Sequence, residues 1–432
     1  MPPRPNVIVF VLDTLREDCS AGLRGLSDRL GFVKYSDAIA PSTWTLPSHV
    51  SLFTGLMPSQ HGIHEDRSVG IETMVTQASI REEVRSQNES LERGGLIGRL
   101  GARGYRTYAL TANTFVLPFF GFPFDEVHLY DDLGEVSEGR WEPRGDRNRL
   151  LQLLWYLKRG SPSIIWRQLV LQRMANVAPS LFHWFTCEKG TKHIVRDLKT
   201  MRLKEPFLLF VNMMEAHEPY VLGEVNPCRE IAFSMITGKR PSVHPDWRLR
   251  YRSHSEIPVQ GAIAAVKALE PYLPRSITMV TSDHGQLLGE KGRFGHGFTL
   301  DDEVLRVPFY ARYPEWASPI RQSGRFLSLT SVPSIVDAVA GGTELRLGSD
   351  TAAAESFGPI WSLRRFAKSA RDAELLGAAY SHKVRLFSGS GSATYNVSTD
   401  IIEELGGAES EGEARESLRQ LPIGATTPRA AG

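Results

Sequence analysis

Two aspartates, a histidine and a threonine are placed where they could share one metal ion. Asp13 closes the apolar run Val7-Ile-Val-Phe-Val-Leu12, and Asp283-His284 closes Ile277-Thr-Met-Val280. Thr45 opens a helix-like segment between them. Two carboxylates, one imidazole and a hydroxyl oxygen make a mixed ligand set for one divalent cation. Manganese, zinc, magnesium and calcium all take such donors, although a ligating histidine weighs against magnesium and calcium. The cation would lower the pKa of the threonine hydroxyl and stabilise the charge it carries during attack. An Asp-His pair alone is weak evidence for a metal; three segments converging on one ligand set are stronger.

The segment after Thr45 supports a nucleophile at a helix start. Pro47 favours the first helical turn, and Thr45 is expected to cap it. Leu46, Val50 and Phe53 fall on one apolar face, and Gly55 is placed to end the helix. The free N–H groups and the dipole of such a terminus favour an anion. Taken alone, an ordinary capped helix explains the same residues.

The elements that must position these groups read as an α/β fold. Five short apolar runs look like buried parallel strands: Val7–Leu12, Thr107–Leu110, Phe207–Val211, Ile277–Val280 and Val307–Ala311. Helix-like stretches, such as Leu91–Leu100 and Val259–Leu269, lie between them. This alternation predicts a large, mostly parallel sheet sandwiched by helices, with sites outside the carboxyl ends of the strands. Asp13, Asn113, His217 and Asp283-His284 all follow strands. A catalytic domain is expected over residues 1–320. A helical insert at about 147–228 would hold the amphipathic stretches around Leu150–Leu157 and Ile164–Leu171. A small C-terminal α+β subdomain is expected over 321–432, with a hairpin from Val384–Phe387 and Ala393–Val397, a charged stretch from Glu409 and a frayed tail.

Composition excludes several function classes. The 432 residues carry 50 Lys and Arg against 49 Asp and Glu, a net charge of +1. That balance and the lack of a basic, aromatic-interleaved stripe give no footprint for nucleic acid. No apolar run is long enough to span a bilayer, and Val7–Leu12 is too short for a signal sequence. Cys19, Cys187 and Cys228 fit neither a zinc site nor a redox pair, so three free thiols in a cytoplasmic protein are expected. The oligomeric state is not readable.

Motifs in order along most of the chain resemble the sulfatase family of the alkaline-phosphatase superfamily. They are Arg4 through Asp13, Ala40-Pro-Ser-Thr-Trp-Thr45 through Gly55, Met214-Glu-Ala-His-Glu-Pro-Tyr220, and Ser282-Asp-His-Gly285 through Gly295-His-Gly297. Tyr395-Asn-Val397 is similar to the family's closing strands. The regions about 66–91 and 147–228 fit poorly. By this resemblance His217 and His296 contact the ester oxygens or protonate the leaving group, a task suited to imidazole. Asn113 would contact substrate; Lys291 could bind an anionic one, with a solvated charge equally plausible. The departures matter. Thr45 stands where sulfatases carry the Cys or Ser that becomes formylglycine, and Thr cannot follow that path. His49 replaces the motif's Arg, and Thr14 follows Asp13 where a second acid is usual. His49 is expected in a structural or substrate-side role. No second metal set is evident, so one divalent ion is expected. The resemblance implies a hydrolase of phosphate, phosphonate or sulfate esters of small anionic molecules, with phosphoryl chemistry favoured by the Thr. A group transferase on the same site and a non-catalytic relative are the alternatives.

Overall fold

The structure is a computed structural model that describes residues 4–64, 94–131, 134–136, 188–220, 228–239, 241, 243, 245–359, 363, 367–408 and 410–420. The strands in chain order are β1 (Asn6–Leu12), β2 (Val33–Ile39), β3 (Arg106–Thr111), β4 (Glu126–Asp131), β5 (Gly134–Val136), β6 (Phe207–Met213), β7 (Ser276–Thr281), β8 (Leu287–Leu288), β9 (Phe294–Gly295), β10 (Arg306–Arg312), β11 (Leu327–Ser328), β12 (Ala352–Ser356), β13 (Lys383–Phe387), β14 (Gly391–Asn396) and β15 (Ile401–Gly407).

Nine of them form one sheet in the order β11-β2-β10-β7-β1-β6-β3-β4-β5. β7, β1, β6, β3 and β4 are parallel neighbours. The run at Val307 is a strand, as expected, but β10 is antiparallel to both β7 and β2. An apolar run carries no direction, so its sequence could not give this. Because β10 reverses twice between its neighbours, β2 points the same way as β7. β1, β3, β6 and β7, which precede Asp13, Asn113, His217 and Asp283, and β2, which leads to Thr45, therefore end on one edge of the sheet.

Continuous apolar strands imply cover on both faces, and the side-chain alternation shows it. Val7, Val9 and Val11 enter one core, with Val50, Phe53, Leu96, Ile335 and Val339 from the helices Thr45–Thr54, Leu96–Ala102 and Val332–Gly341. Ile8, Phe10 and Leu12 enter the opposite core, with Ile194, Leu198, Val259 and Val266 from Thr191–Leu198 and Trp247–Ala268. Burial of each such side chain is worth about 1.5–3 kcal/mol, so β1 is held from both sides.

β12, β13, β14 and β15 form a second, antiparallel sheet. The expected hairpin is its β13–β14 pair. The large sheet continues past residue 320: β11 pairs with β2, and Val332–Gly341 packs in the first core, so the small sheet begins only at Ala352. It is stitched on where Glu355 N donates to Pro41 O at 2.9 Å and Ser42 Oγ to Glu355 O at 2.9 Å. Within the region expected as an insert, residues 188–220 carry Thr191–Leu198 and the central strand β6. The expected amphipathic pair, Cys187 and the tail lie outside the described residues. Cys19 is a free thiol. No helix among the described residues is long and apolar enough to cross a membrane.

Candidate active site

The loops after β1 and β7 are sewn together before any side chain meets a ligand. Thr14 sits at φ 60°, a left-handed conformation costly for a β-branched residue. Its N–H donates to Asp283 Oδ1 at 3.2 Å, Leu15 N–H donates to Ser282 Oγ at 2.9 Å, and the Tyr251 hydroxyl donates to Thr14 O at 2.7 Å. These bonds hold the strained turn that delivers Asp13. After Asp283-His284, Gly285 lets the backbone pass Glu303; a Cβ there would lie 2.2 Å from the Glu303 carbonyl oxygen.

Asp13, Asp283 and His284 are fully buried, and one ligand atom from each lies within 4.8 Å of the others. His284 Nδ1 donates to Gly285 O at 2.9 Å, which leaves the Nε2 lone pair free. That Nε2 lies 3.5 Å from Asp283 Oδ2 and 3.5 Å from Thr45 Oγ1. Asp13 Oδ2 accepts from Asn113 Nδ2 at 2.7 Å, whereas Asp13 Oδ1 and Asp283 Oδ2 are buried without a hydrogen bond. Burial raises the Asp13 carboxyl above its ordinary 3.8, and the Asp283 carboxylate raises it further; His217, His284 and His49 oppose this. Buried carboxylate oxygens without donors are costly unless a cation meets them. The donor set therefore fits a divalent cation.

Thr45 is the first residue of the helix Thr45–Thr54, and Trp44 takes the cap position. The expected capping bond from Thr45 is not made. Its hydroxyl instead faces His284 Nε2 and Asn113 Nδ2, both at 3.5 Å. Gly55, at φ 77°, ends the helix as expected. His49, one turn on, is fully buried; its Nδ1 donates to Thr45 O at 2.8 Å and lies 3.6 Å from Asp283 Oδ2. Burial pushes this imidazole down to about 4, against the pull of Asp13 and the Thr45 carbonyl, so it is neutral. Its ring meets that of Phe210 edge-on at 5.6 Å, away from solvent.

A second group lies beside the first. His217, Glu218 and His296 bring ligand atoms within 4.8 Å of one another. The His296 and His284 rings are 4.6 Å apart, and His296 and His217 4.9 Å. His296 Nδ1 donates to Gln286 Oε1 at 2.5 Å, and Gln286 Nε2 donates to Glu218 Oε2 at 2.7 Å. His217 Nδ1 donates to Glu218 O at 2.6 Å. Both histidines thus leave Nε2 available, and the Gln286 amide fixes which way the Glu218 and His296 side chains face. Burial holds His296 well below the ordinary imidazole range. Glu218 and Gln286 were not foreseen from sequence. The signals were present, an acid directly after His217 and an amide directly after Asp-His-Gly, but nothing local separates them from ordinary loop polars.

The remaining candidate, Lys291, falls elsewhere, and two further polar residues brace the loops and the helix. Lys291 is exposed and pairs with Glu404 of the small sheet at 2.8 Å. Arg16 ties Asp18 to Glu290. His61 accepts from Ile63 N and donates to Ser51 Oγ, bracing the helix that carries Thr45.

Solved structures share this fold. A phosphonate monoester hydrolase of Agrobacterium radiobacter is similar over 92% of this chain and 90% of its own, with TM-score 0.55 and 14% identity. A 2-O GAG sulfatase is similar over 97% and 88%, with TM-score 0.56 and 12% identity. A protein in the alkaline phosphatase superfamily from Vibrio parahaemolyticus is similar over 97% and 84%, with TM-score 0.50 and 12% identity. At these identities the likeness is one of fold. No protein-family model and no curated protein matches the chain.

Proposed function

We propose that this chain is a metal-dependent hydrolase of phosphate, phosphonate or sulfate esters, with Thr45 as nucleophile. The observation that supports it most is that His284 Nε2 lies 3.5 Å from both Thr45 Oγ1 and Asp283 Oδ2, with Asp13 beside them, and that Asp283 Oδ2 and Asp13 Oδ1 both lack any donor. Asp13, Asp283 and His284 would hold the cation, with Thr45 Oγ1 as a further ligand. When bound, it supplies Lewis acidity that favours the alkoxide of Thr45.

The chain's own residues account for the rest. The helix start presents Thr45 to the ester, and Asn113 Nδ2 stands beside the same oxygen to donate to a nonbridging ester oxygen. Oγ1 bonds to phosphorus or sulfur as the bond to the leaving oxygen breaks. His217, the more exposed of the two outer histidines, enters the step with both ring nitrogens protonated, gives its Nε2 proton to that oxygen while Thr45 gives up its own, and takes a proton back from the attacking water in the second step. Water then cleaves the Thr45 ester and regenerates the hydroxyl. Thr takes this covalent path without oxidation. A second cation in the group His217, Glu218 and His296 is the other assignment of those donors, favoured by their spacing within 4.8 Å.

The test is turnover of aryl phosphate monoester, phosphate diester, phosphonate monoester and sulfate ester with manganese or zinc. Wild type should cleave at least one class, and Thr45→Ala should lose roughly a thousandfold or more. Full turnover by the variant would rule out the nucleophile. Bound metal, counted by elemental analysis, should be one equivalent if the outer histidines carry protons and two if they hold a cation.

A further inference from the structure

A cleft of about 590 Å³ lies between the loop that carries His296 and the small sheet. Its size suits a small organic group. Arg293 and Phe298 line it and flank His296 in the chain, so their Cα atoms lie within about 11 Å and 8 Å of His296's. The same loop therefore serves the candidate active site and the cleft.

The charge pattern of the cleft is specific. Three cations, Lys291, Arg293 and Lys383, share it with three carboxylates, Asp301, Glu403 and Glu404. Each cation is already paired: Lys291 with Glu404 at 2.8 Å, Arg293 with Asp301, and Lys383 with Glu403 at 2.7 Å. Lys291 reaches its partner from a left-handed backbone at φ 49°, between Gly289 and Gly292. Met235, Ile236, Phe298 and Leu375 add apolar surface. Thr299 Oγ1 and Asp301 Oδ2, in residues of the wall, have no hydrogen bond.

We propose that this cleft receives the organic part of the ester and selects an uncharged, hydroxyl-rich group. The proposal rests on the hydrolase reading. An anionic group that reached a cation would lie beside the carboxylate already bound to it and be repelled. A purely apolar group would strip water from six charged side chains and return no hydrogen bond. A hydroxyl does neither: it donates to a carboxylate and accepts from an ammonium or guanidinium without disturbing the pairing. A ring face packs on Phe298 and Leu375.

Two measurements test it. The first compares kcat/KM for esters that share the reacting group and differ in the leaving alcohol: glucose, glucuronate and cyclohexylmethanol. The glucosyl ester should exceed both others by about tenfold, the worth of roughly one net hydrogen bond. In Glu404→Gln, which removes the carboxylate shared by Lys291 and Arg385 and leaves Lys291 only Asp301 Oδ1 at 3.9 Å, the preference should swing toward the glucuronyl ester. Equal rates, or an unchanged ranking in the variant, overturns the proposal. The second measures ligand-observed NMR binding of methyl glucoside, its glucuronide and cyclohexylmethanol to Thr45→Ala and to Thr45→Ala with Glu404→Gln. Selective glucoside binding that Glu404→Gln weakens supports the cleft even if no ester turns over, which would sink only the hydrolase reading. Absence of selective binding overturns the cleft even in an active hydrolase.

Discussion

The two histidine-containing groups at the sheet edge differ in what they lack. Asp13, Asp283 and His284 are sealed from solvent and keep carboxylate oxygens with no donor. His217, Glu218 and His296 are clamped by Gln286 and the Glu218 backbone, and His217 keeps some exposure. The first group has carboxylate oxygens that the proposed cation would satisfy; the second has its side chains tied by hydrogen bonds and two imidazole nitrogens to spare. Burial with unmet charge marks a metal seat, whereas burial with a finished network marks oriented acid–base or ligand groups.

Four perturbations break or sharpen that contrast. Asp283→Ala should have the largest effect, a loss of turnover of roughly a thousandfold with loss of the inner metal by elemental analysis. If metal content and rate survived, the inner group would not be the seat. Glu218→Gln should lower kcat by about a hundredfold and leave the inner metal bound; loss of the inner metal as well would merge the two groups into one. Gln286→Ala should cost about tenfold and move the pH–rate profile, because His296 loses its Nδ1 acceptor. An unchanged profile with a uniform rate loss would reduce Gln286 to packing.

The smallest effect concerns stability. Burial holds His61 at about 3, below its ordinary 6.5, despite the backbone bond near Pro47 that opposes the shift. Between those values the unfolded chain binds a proton that the fold does not, so stability falls as pH drops from 6.5 toward 3. His61→Gln should flatten that acid limb in chemical denaturation. The flattened background would then let metal release from the two groups be read without the His61 contribution. An equally steep limb in the variant would assign the acid sensitivity to other groups.

Some of this was legible in sequence and some was not. Asp13, Thr45, Asp283 and His284 announce themselves because each terminates an apolar run or opens a helix, and those are local signals. The structure brings these four together. Glu218 and Gln286 have no such signal: their pairing joins residues 68 apart in sequence. The same holds for β10, whose direction depends on which strands it meets. The small sheet's start at Ala352 was hidden because β11, after the expected boundary, reads as loop until β2 pairs with it. His49 stood out through its motif position, and only packing shows it turned inward.

The alternation along β1 has a further consequence. Its valines face one core, and Ile8, Phe10 and Leu12 face the other. A slip of one residue would push Phe10 among groups shaped for valine and leave voids where it had been. The same slip would carry Asp13 about 3.3 Å off its mark. Misregistered chains are thus rejected by packing deep inside the sheet, before any metal or ester could report the error. The unequal side chains on the two faces of β1 act as a proofreading device for the residue at its end.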